Sequence, residues 1–170
     1  PTVRSRLLAA LMMLGMDLQG ATLGILGMGQ IGQAVARRAE AFGMRVLPWI
    51  RGGSLQEVLA ASDVVSVHLP LTGETRHLLD KVRLAQMKPG SYLINTSRGP
   101  VVDEAALGEA LASGHLAGAA LDVFEREPLV HESLLNSERV LLTPHIASAT
   151  QATRERMAML AVQNLISALS

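Results

Sequence analysis

Short, uninterrupted apolar runs separated by helical segments constrain this chain more than any other feature of its sequence. Such runs cover 22–26, 44–49, 63–68, 91–95, 116–121 and 140–143. Helical patterns cover 2–14, 30–42, 54–60, 79–87, 103–113 and 150–168. Strands without polar alternation need cover on both faces, and strands that alternate with helices pair in parallel. The sequence therefore predicts one α/β domain over residues 1–170, a doubly wound parallel sheet with helices on both faces.

The charge balance and the residue composition narrow the function classes. The chain has 15 basic and 15 acidic residues and a formal net charge of zero, so it lacks the basic field that attracts nucleic acid or an anionic membrane. No apolar run reaches the roughly 18 residues of a membrane span. There is no cysteine, and no histidine pair has metal-ligand spacing, so we expect no metal site. The absence of cysteine also fits a cytoplasmic protein.

A glycine-rich segment follows the first predicted strand and opens the next helix. Gly27-Met28-Gly29-Gln30-Ile31-Gly32 has the pattern G-x-G-x-x-G. In this context the first glycine permits a tight turn, the second lets the backbone approach a pyrophosphate, and the third lets helix and strand pack closely. The pattern indicates a Rossmann-type dinucleotide site, and the alternative is a tight turn with a structural role only.

The end of the second predicted strand bears on the choice between NAD and NADP. An acidic residue normally follows here and binds the adenosine ribose hydroxyls. This chain has Ile50 instead, followed by Arg51. Ile50 accepts no hydrogen bond and does not repel a 2′-phosphate, whereas Arg51 could bind one. The alternative for Arg51 is a solvated arginine in a turn.

Three residues with reactive or charged side chains lie after the predicted strands or in a nearby loop. Arg98 and His145 each follow a strand, and Glu127 precedes Pro128. Ligands bind at the carboxyl ends of strands in open α/β sheets. The three residues could therefore form a carboxylate clamp and an acid/base pair, or each could be an ordinary surface residue. We expect the other loop histidines, His77, His115 and His131, to be solvated.

Five segments together resemble the successive signatures of the D-isomer-specific 2-hydroxyacid dehydrogenases. They are 23–32 (LGILGMGQIG), 68–72 (HLPLT), 95–99 (NTSRG), 118–128 (GAALDVFEREP) and 143–146 (TPHI). Their order and spacing agree with the family across nearly the whole chain. The stretch 148–165 is most similar to the glyoxylate and hydroxypyruvate reductase branch.

The resemblance implies a small 2-oxoacid substrate, NADP or NAD as cofactor, and a role for each matching residue. Arg98 would bind the substrate carboxylate and carbonyl, and His145 would exchange a proton with the substrate oxygen. Glu127 would orient the His145 ring and favour its protonated form. Asp122 would lie near the nicotinamide carboxamide. The remaining matches to cofactor-contacting positions are Gln30, Ile31, Leu69, Pro70, Thr75 and Thr96.

The chain departs from the family in its length and in the segment after the second strand. The connection over 51–61 is shorter than the family's usual strand and helix. The family also has a second domain that completes the substrate pocket, and nothing in this sequence corresponds to it. We therefore expect a cofactor domain of a 2-oxoacid reductase; the alternative is a non-catalytic dinucleotide-binding module that senses redox state or mediates assembly. The apolar helix predicted over 2–14 favours a homodimer.

Overall fold

A computed structural model describes residues 15–169 of the chain and contains one parallel sheet. Its strands are β1 (Thr22–Leu26), β2 (Arg45–Trp49), β3 (Val64–Val67), β4 (Tyr92–Asn95), β5 (Gly118–Leu121) and β6 (Val140–Leu142). They lie in the order β2-β1-β3-β4-β5-β6, and every neighbouring pair is parallel. The predicted doubly wound sheet is confirmed, and each strand lies within the segment predicted for it.

The helices of the described region follow the strands as expected. They are α1 (Gln30–Ala41), α2 (Leu55–Ala61), α3 (Lys81–Ala85), α4 (Glu104–Ala112), α5 (Glu132–Leu135) and α6 (Gln151–Leu169), and a 3₁₀ turn spans Gly99–Val101. Ser54 caps α2 by accepting a hydrogen bond from the Glu57 amide at 3.2 Å. Asp103 caps α4 in the same way. Both helix starts therefore lie where the sequence places them.

Two helical assignments differ from the prediction, and one lies outside the described residues. The helix predicted over 79–87 is shorter, because Leu79 pairs with Val102 in a β-bridge and Asp80 becomes the cap of α3. The short helix α5 was not predicted; the His131 side chain caps it by accepting from the Ser133 amide. The predicted helix 2–14 lies outside the described residues.

Helices cover the two faces of the sheet unequally. Side chains from successive strand residues point to opposite faces and enter two separate hydrophobic clusters. The larger cluster joins β1, β3 and β4 to α2, α3 and α4, and includes Leu26, Leu59, Val65, Leu84, Leu93 and Leu107. The smaller cluster lies beneath α1 and includes Leu23, Ile25, Ala36, Ala39 and Val64. Beside it, an open groove of about 690 Å³ is lined by Tyr92, Ile94 and Leu141.

Strand β2, at one edge of the sheet, and α6, at the carboxyl end of the described chain, contain no fully buried residue. At one edge, β2 is the outermost strand and contains Pro48, which suits an unpaired edge. The usual doubly wound order has one further strand outside this position, and the short connection from β2 to α2 leaves no room for it. At the other end, α6 buries none of its side chains. Within residues 15–169, no helix is both long and apolar enough to cross a bilayer.

Candidate functional site at the carboxyl edge of the sheet

The loops that carry the predicted site residues meet at one edge of the sheet. All six strands are parallel, so their carboxyl ends face the same side. The glycine turn follows β1, Leu69 and Pro70 follow β3, and Thr96 and Arg98 follow β4. Asp122 follows β5, and His145 follows β6. The fold thus gathers residues that are more than a hundred positions apart in the sequence.

The glycine turn has the local geometry of a phosphate cradle. A Cβ atom on Gly32 would lie 2.0 Å from the Gly27 carbonyl oxygen, so α1 packs against the turn too closely for any side chain. Gly27 has a φ of +104° and lies against the His68 backbone. A Cβ atom on Gly29, by contrast, would meet nothing within 4 Å. The space beside Gly29 is therefore open, and it adjoins the amino end of α1, which no side chain caps.

These features fit a dinucleotide pyrophosphate. The first amides of a helix have no partner within the helix and carry a partial positive charge, which favours an anion. Gln30 and Ile31 are the first residues of α1, and both are exposed. Any side chain at position 29 would occupy the space through which a phosphate must approach. Gly29 and the start of α1 are thus the residues that would hold the pyrophosphate.

The adenosine end of the candidate site contains an exposed apolar residue and an ion pair. Ile50 follows β2 and is 66% exposed. The Arg51 guanidinium donates to the carboxylate of Glu74, and both side chains are largely exposed. Arg51 is therefore not a free cation in this structure. It already has an anionic partner, which a 2′-phosphate would need to displace.

The loop after β3 is held by its own hydroxyl groups. Thr75 donates from its hydroxyl to the Pro70 carbonyl at 2.7 Å, and the same hydroxyl accepts from the Thr72 amide at 2.8 Å. Leu69 is half-buried against the larger core cluster. Thr75 therefore shapes the loop through its side chain, whereas Pro70, and Thr96 after β4, are exposed at the site.

His145 and Glu127 form a direct pair. The Nδ1 atom of His145 lies 2.9 Å from Oε2 of Glu127, although the two residues are 18 positions apart in the sequence. No described residue forms a hydrogen bond with the Nε2 atom of His145, which is the ring nitrogen that remains for a ligand. The hydrogen bond from His145 holds the pKa of the Glu127 carboxyl below its usual range. The carboxylate consequently stays ionised and fixes the ring.

Asp122 holds the loop that carries His145. One carboxylate oxygen accepts from the Thr143 hydroxyl at 2.6 Å and from the Ile146 amide at 2.8 Å, and the other accepts from the Ala147 amide at 2.8 Å. Burial by itself would raise the pKa of Asp122, but these hydrogen bonds outweigh it and lower the pKa. Asp122 therefore fixes the chain on both sides of His145, through the Thr143 hydroxyl before it and two backbone amides after it.

The Arg98 loop packs directly against the segment that leads to Glu127. Asn95 is 1% exposed, and its amide group donates to the Arg98 carbonyl at 3.0 Å. A Cβ atom on Gly99 would lie 1.9 Å from the Phe124 carbonyl carbon. The backbone after Arg98 thus contacts the backbone three residues before Glu127. The Arg98 side chain itself is exposed and donates to the Ser97 carbonyl.

Several residues that contact the loop carrying Glu127 could not be predicted from the sequence. His77, expected to be solvated, is half-buried, and its Nε2 lies 2.8 Å from the Glu125 carboxylate. Glu104, which the sequence marks only as an acidic residue at a helix start, is 5% exposed and bonds to the Glu125 and His131 amides. These partners are 21 to 48 positions apart, so no local pattern could reveal them.

Comparison with known proteins agrees with this geometry. A family model described as "D-isomer specific 2-hydroxyacid dehydrogenase, NAD binding domain" matches residues 3–147. A glyoxylate reductase of Korarchaeum cryptofilum is 49% identical over 92% of this chain and 51% of its own length. The crystal structure of a glyoxylate reductase from Paecilomyes thermophila is 46% identical, with a TM-score of 0.87 over 92% of this chain and 52% of that one.

A third relative was solved with a cofactor. The NADPH-dependent glyoxylate/hydroxypyruvate reductase of Sinorhizobium meliloti, in complex with NADP and malonate, is 42% identical. Its TM-score is 0.86 over 91% of this chain and 52% of that one. This chain spans about half the length of the curated relatives it matches.

Proposed function

The chain belongs to the D-isomer-specific 2-hydroxyacid dehydrogenase family and is similar to its NAD-binding domain, and we propose that it is the cofactor domain of a reductase for small 2-oxoacids such as glyoxylate or hydroxypyruvate. The observation that carries this proposal is the His145–Glu127 pair, because it lies at the same edge of the sheet as the glycine turn. A module that only binds a dinucleotide needs the turn but not the pair.

The proposed reaction assigns one role to each side chain. The cofactor, when bound, supplies a hydride to the carbonyl carbon of the 2-oxoacid. Arg98 binds the substrate carboxylate, since a guanidinium can donate two parallel hydrogen bonds to it. His145 gives the proton on Nε2 to the carbonyl oxygen, which becomes the hydroxyl of the product. Glu127 stabilises the imidazolium before this transfer and keeps Nε2 oriented towards the substrate.

We include in the proposal that NADPH binds at least as tightly as NADH. Support comes from Ile50, which offers neither a hydrogen bond to the ribose hydroxyls nor repulsion to a 2′-phosphate. Arg51 would bind the phosphate after leaving Glu74. That exchange is inexpensive, because the free energy of an exposed ion pair is only about 0–1 kcal/mol.

We also propose a homodimer in the cytoplasm. Apolar side chains along α6, including Met157, Leu160 and Leu165, are between 53% and 61% exposed. Such a surface favours association with a second apolar surface. The predicted helix 2–14 stays part of this proposal, although it lies outside the described residues. The cytoplasm is proposed because the chain has no cysteine and the reaction consumes a reduced dinucleotide.

The experiment that tests the proposal measures NADPH oxidation with glyoxylate and with hydroxypyruvate, alongside direct titration of NADPH. We expect the 170-residue chain to bind NADPH and to reduce both acids slowly. His145→Ala should lower that turnover by about 10²–10⁴-fold, the usual contribution of one general acid. Its affinity for NADPH should stay within a factor of a few.

His115→Ala is the matched control, because His115 precedes β5 and so lies at the opposite edge of the sheet from His145. It should leave both turnover and NADPH affinity unchanged. Turnover that survives His145→Ala would contradict the assignment of the acid/base residue. Binding of NADPH without any turnover that depends on His145 would favour the non-catalytic module instead.

A further inference from the structure

Glu104 is one of two buried carboxylates among the described residues, the other being Asp122. Burying an ionised carboxylate is costly unless hydrogen bonds compensate for the lost hydration. Glu104 is the first residue of α4, yet its carboxylate accepts no hydrogen bond from that helix. One oxygen accepts from the Glu125 amide at 2.6 Å, and the other accepts from the His131 amide at 3.0 Å.

These two amides bracket the loop that carries Glu127. The loop leaves the sheet after β5 and reaches α5 immediately after His131. Between the two amides, the chain turns at Arg126–Leu129, where the Leu129 amide donates to the Arg126 carbonyl at 2.8 Å. A single buried carboxylate therefore holds both ends of the loop 125–131, and Glu127 projects from its turn.

Glu104 and Glu125 each accept a hydrogen bond from the other's backbone amide, and Glu125 also contacts His77 in the segment after β3. One oxygen of the Glu125 carboxylate accepts from the Glu104 amide at 2.9 Å, and the other lies 2.8 Å from Nε2 of His77. The backbone amide of His77 in turn donates to the Pro100 carbonyl, next to the Arg98 loop. The start of α4, the Glu127 loop and the segment after β3 are thus joined through two carboxylates.

We propose that Glu104 is a positioning residue, which fixes the loop 125–131 and thereby presents Glu127 to His145. The alternative, that Glu104 only stabilises its own helix, is disfavoured because Asp103 already caps α4. The catalytic meaning of the pair rests on the proposed function, whereas the attachment itself does not. Glu127 is 38% exposed, and apart from His145 its carboxylate has one partner among the described residues, the Phe124 amide at 3.2 Å. The position of the loop backbone therefore decides whether the carboxylate reaches His145.

The test follows the titration of the Glu127 carboxyl carbon by NMR in the full chain. Contact with His145 lowers the pKa of Glu127, so His145→Ala gives the reference value for a Glu127 without its partner. We expect Glu104→Ala to raise the Glu127 pKa to that reference value. Glu104→Gln keeps one acceptor oxygen and should raise it less. Asp103→Ala removes a cap from the same helix and should leave it unchanged.

Two results would overturn the proposal. One is a folded Glu104→Ala variant in which Glu127 titrates as in the unmodified chain. The other needs no variant: hydrogen exchange of the unmodified chain should show the Glu125 and His131 amides protected relative to the Glu127 amide, which donates to no described residue. Unprotected Glu125 and His131 amides would refute the attachment. Neither readout depends on cofactor or turnover, so a chain that fails to reduce 2-oxoacids would contradict the proposed function and leave this result intact.

Discussion

Two substitutions in the glycine turn should separate its role in cofactor binding from its role in folding. Gly29→Val places a side chain where nothing lies within 4 Å, and the backbone there has an ordinary φ of −70°. Gly32→Ala places a methyl group 2.0 Å from the Gly27 carbonyl oxygen. The first substitution should therefore be tolerated by the fold, and the second should not.

The expected magnitudes follow from these contacts. Gly32→Ala forces the turn and α1 apart, and such overpacking costs roughly 1–3 kcal/mol of unfolding free energy. Each kcal/mol lowers the melting temperature of a domain of this size by about 2–4 °C. Gly29→Val should change the melting temperature by less, but its side chain blocks the approach of the pyrophosphate. Losing two hydrogen bonds to a charged group, at about 1.5–3 kcal/mol each, weakens binding by roughly 10²–10⁴-fold.

Thermal unfolding with and without NADPH measures both effects in one assay. Ligand at about a hundred times its Kd stabilises a protein by roughly 2.7 kcal/mol, so the unmodified chain should melt several degrees higher with NADPH. Gly29→Val should melt like the unmodified chain without cofactor and show no shift with it. Equal NADPH shifts in Gly29→Val and the unmodified chain would refute the assignment of the cradle.

Further substitutions test the adenosine end of the site, the Asp122 carboxylate and the apolar surface of α6. Ile50→Asp should shift preference from NADPH towards NADH by about 10–100-fold, since one hydrogen bond to a charged group is gained and a 2′-phosphate is repelled. Glu74→Gln should shift preference towards NADPH, because it frees Arg51 from its ion pair. Calorimetric titration measures both affinities, and an unchanged ratio of NADPH to NADH affinity would contradict these predictions. The lowered pKa of Asp122 means that its contribution to stability is present above the unfolded pKa and is lost as the pH falls through the folded one. The free energy of unfolding, measured in urea, should therefore fall less steeply between pH 5 and pH 2 for Asp122→Asn than for the unmodified chain. An equal fall in both proteins would contradict this. Replacing Leu160 and Leu165 with Glu should weaken the proposed dimer, and sedimentation of the unmodified chain as an 18.0 kDa monomer would exclude it.

Local sequence patterns predicted the sheet because each strand is a short apolar run between a helix and a turn. Helix starts at Ser54 and Asp103 were predictable for the same reason, since a cap needs only a side chain and an amide three residues away. The shortening of α3 was not, because Leu79 pairs with Val102, 23 positions later. The role of Glu104 was not predictable for the same reason, because its partners lie in the loop 125–131, which only folding brings near α4.

We expect slow turnover because the side chains that would meet the substrate are exposed to water. The groups that would meet substrate are open to solvent, with the His145 side chain 51% exposed, whereas the carboxylates behind them are almost fully buried. Asp122 and Glu104 therefore hold the acid/base pair in place without excluding water from it. Water weakens the attraction between His145 and Glu127 and competes for the substrate oxygen. Correct placement of reactants contributes roughly 7–11 kcal/mol to a reaction, but only when the substrate is also confined. Fast catalysis would thus require a second surface over this edge of the sheet, and the pair is already positioned to work beneath one.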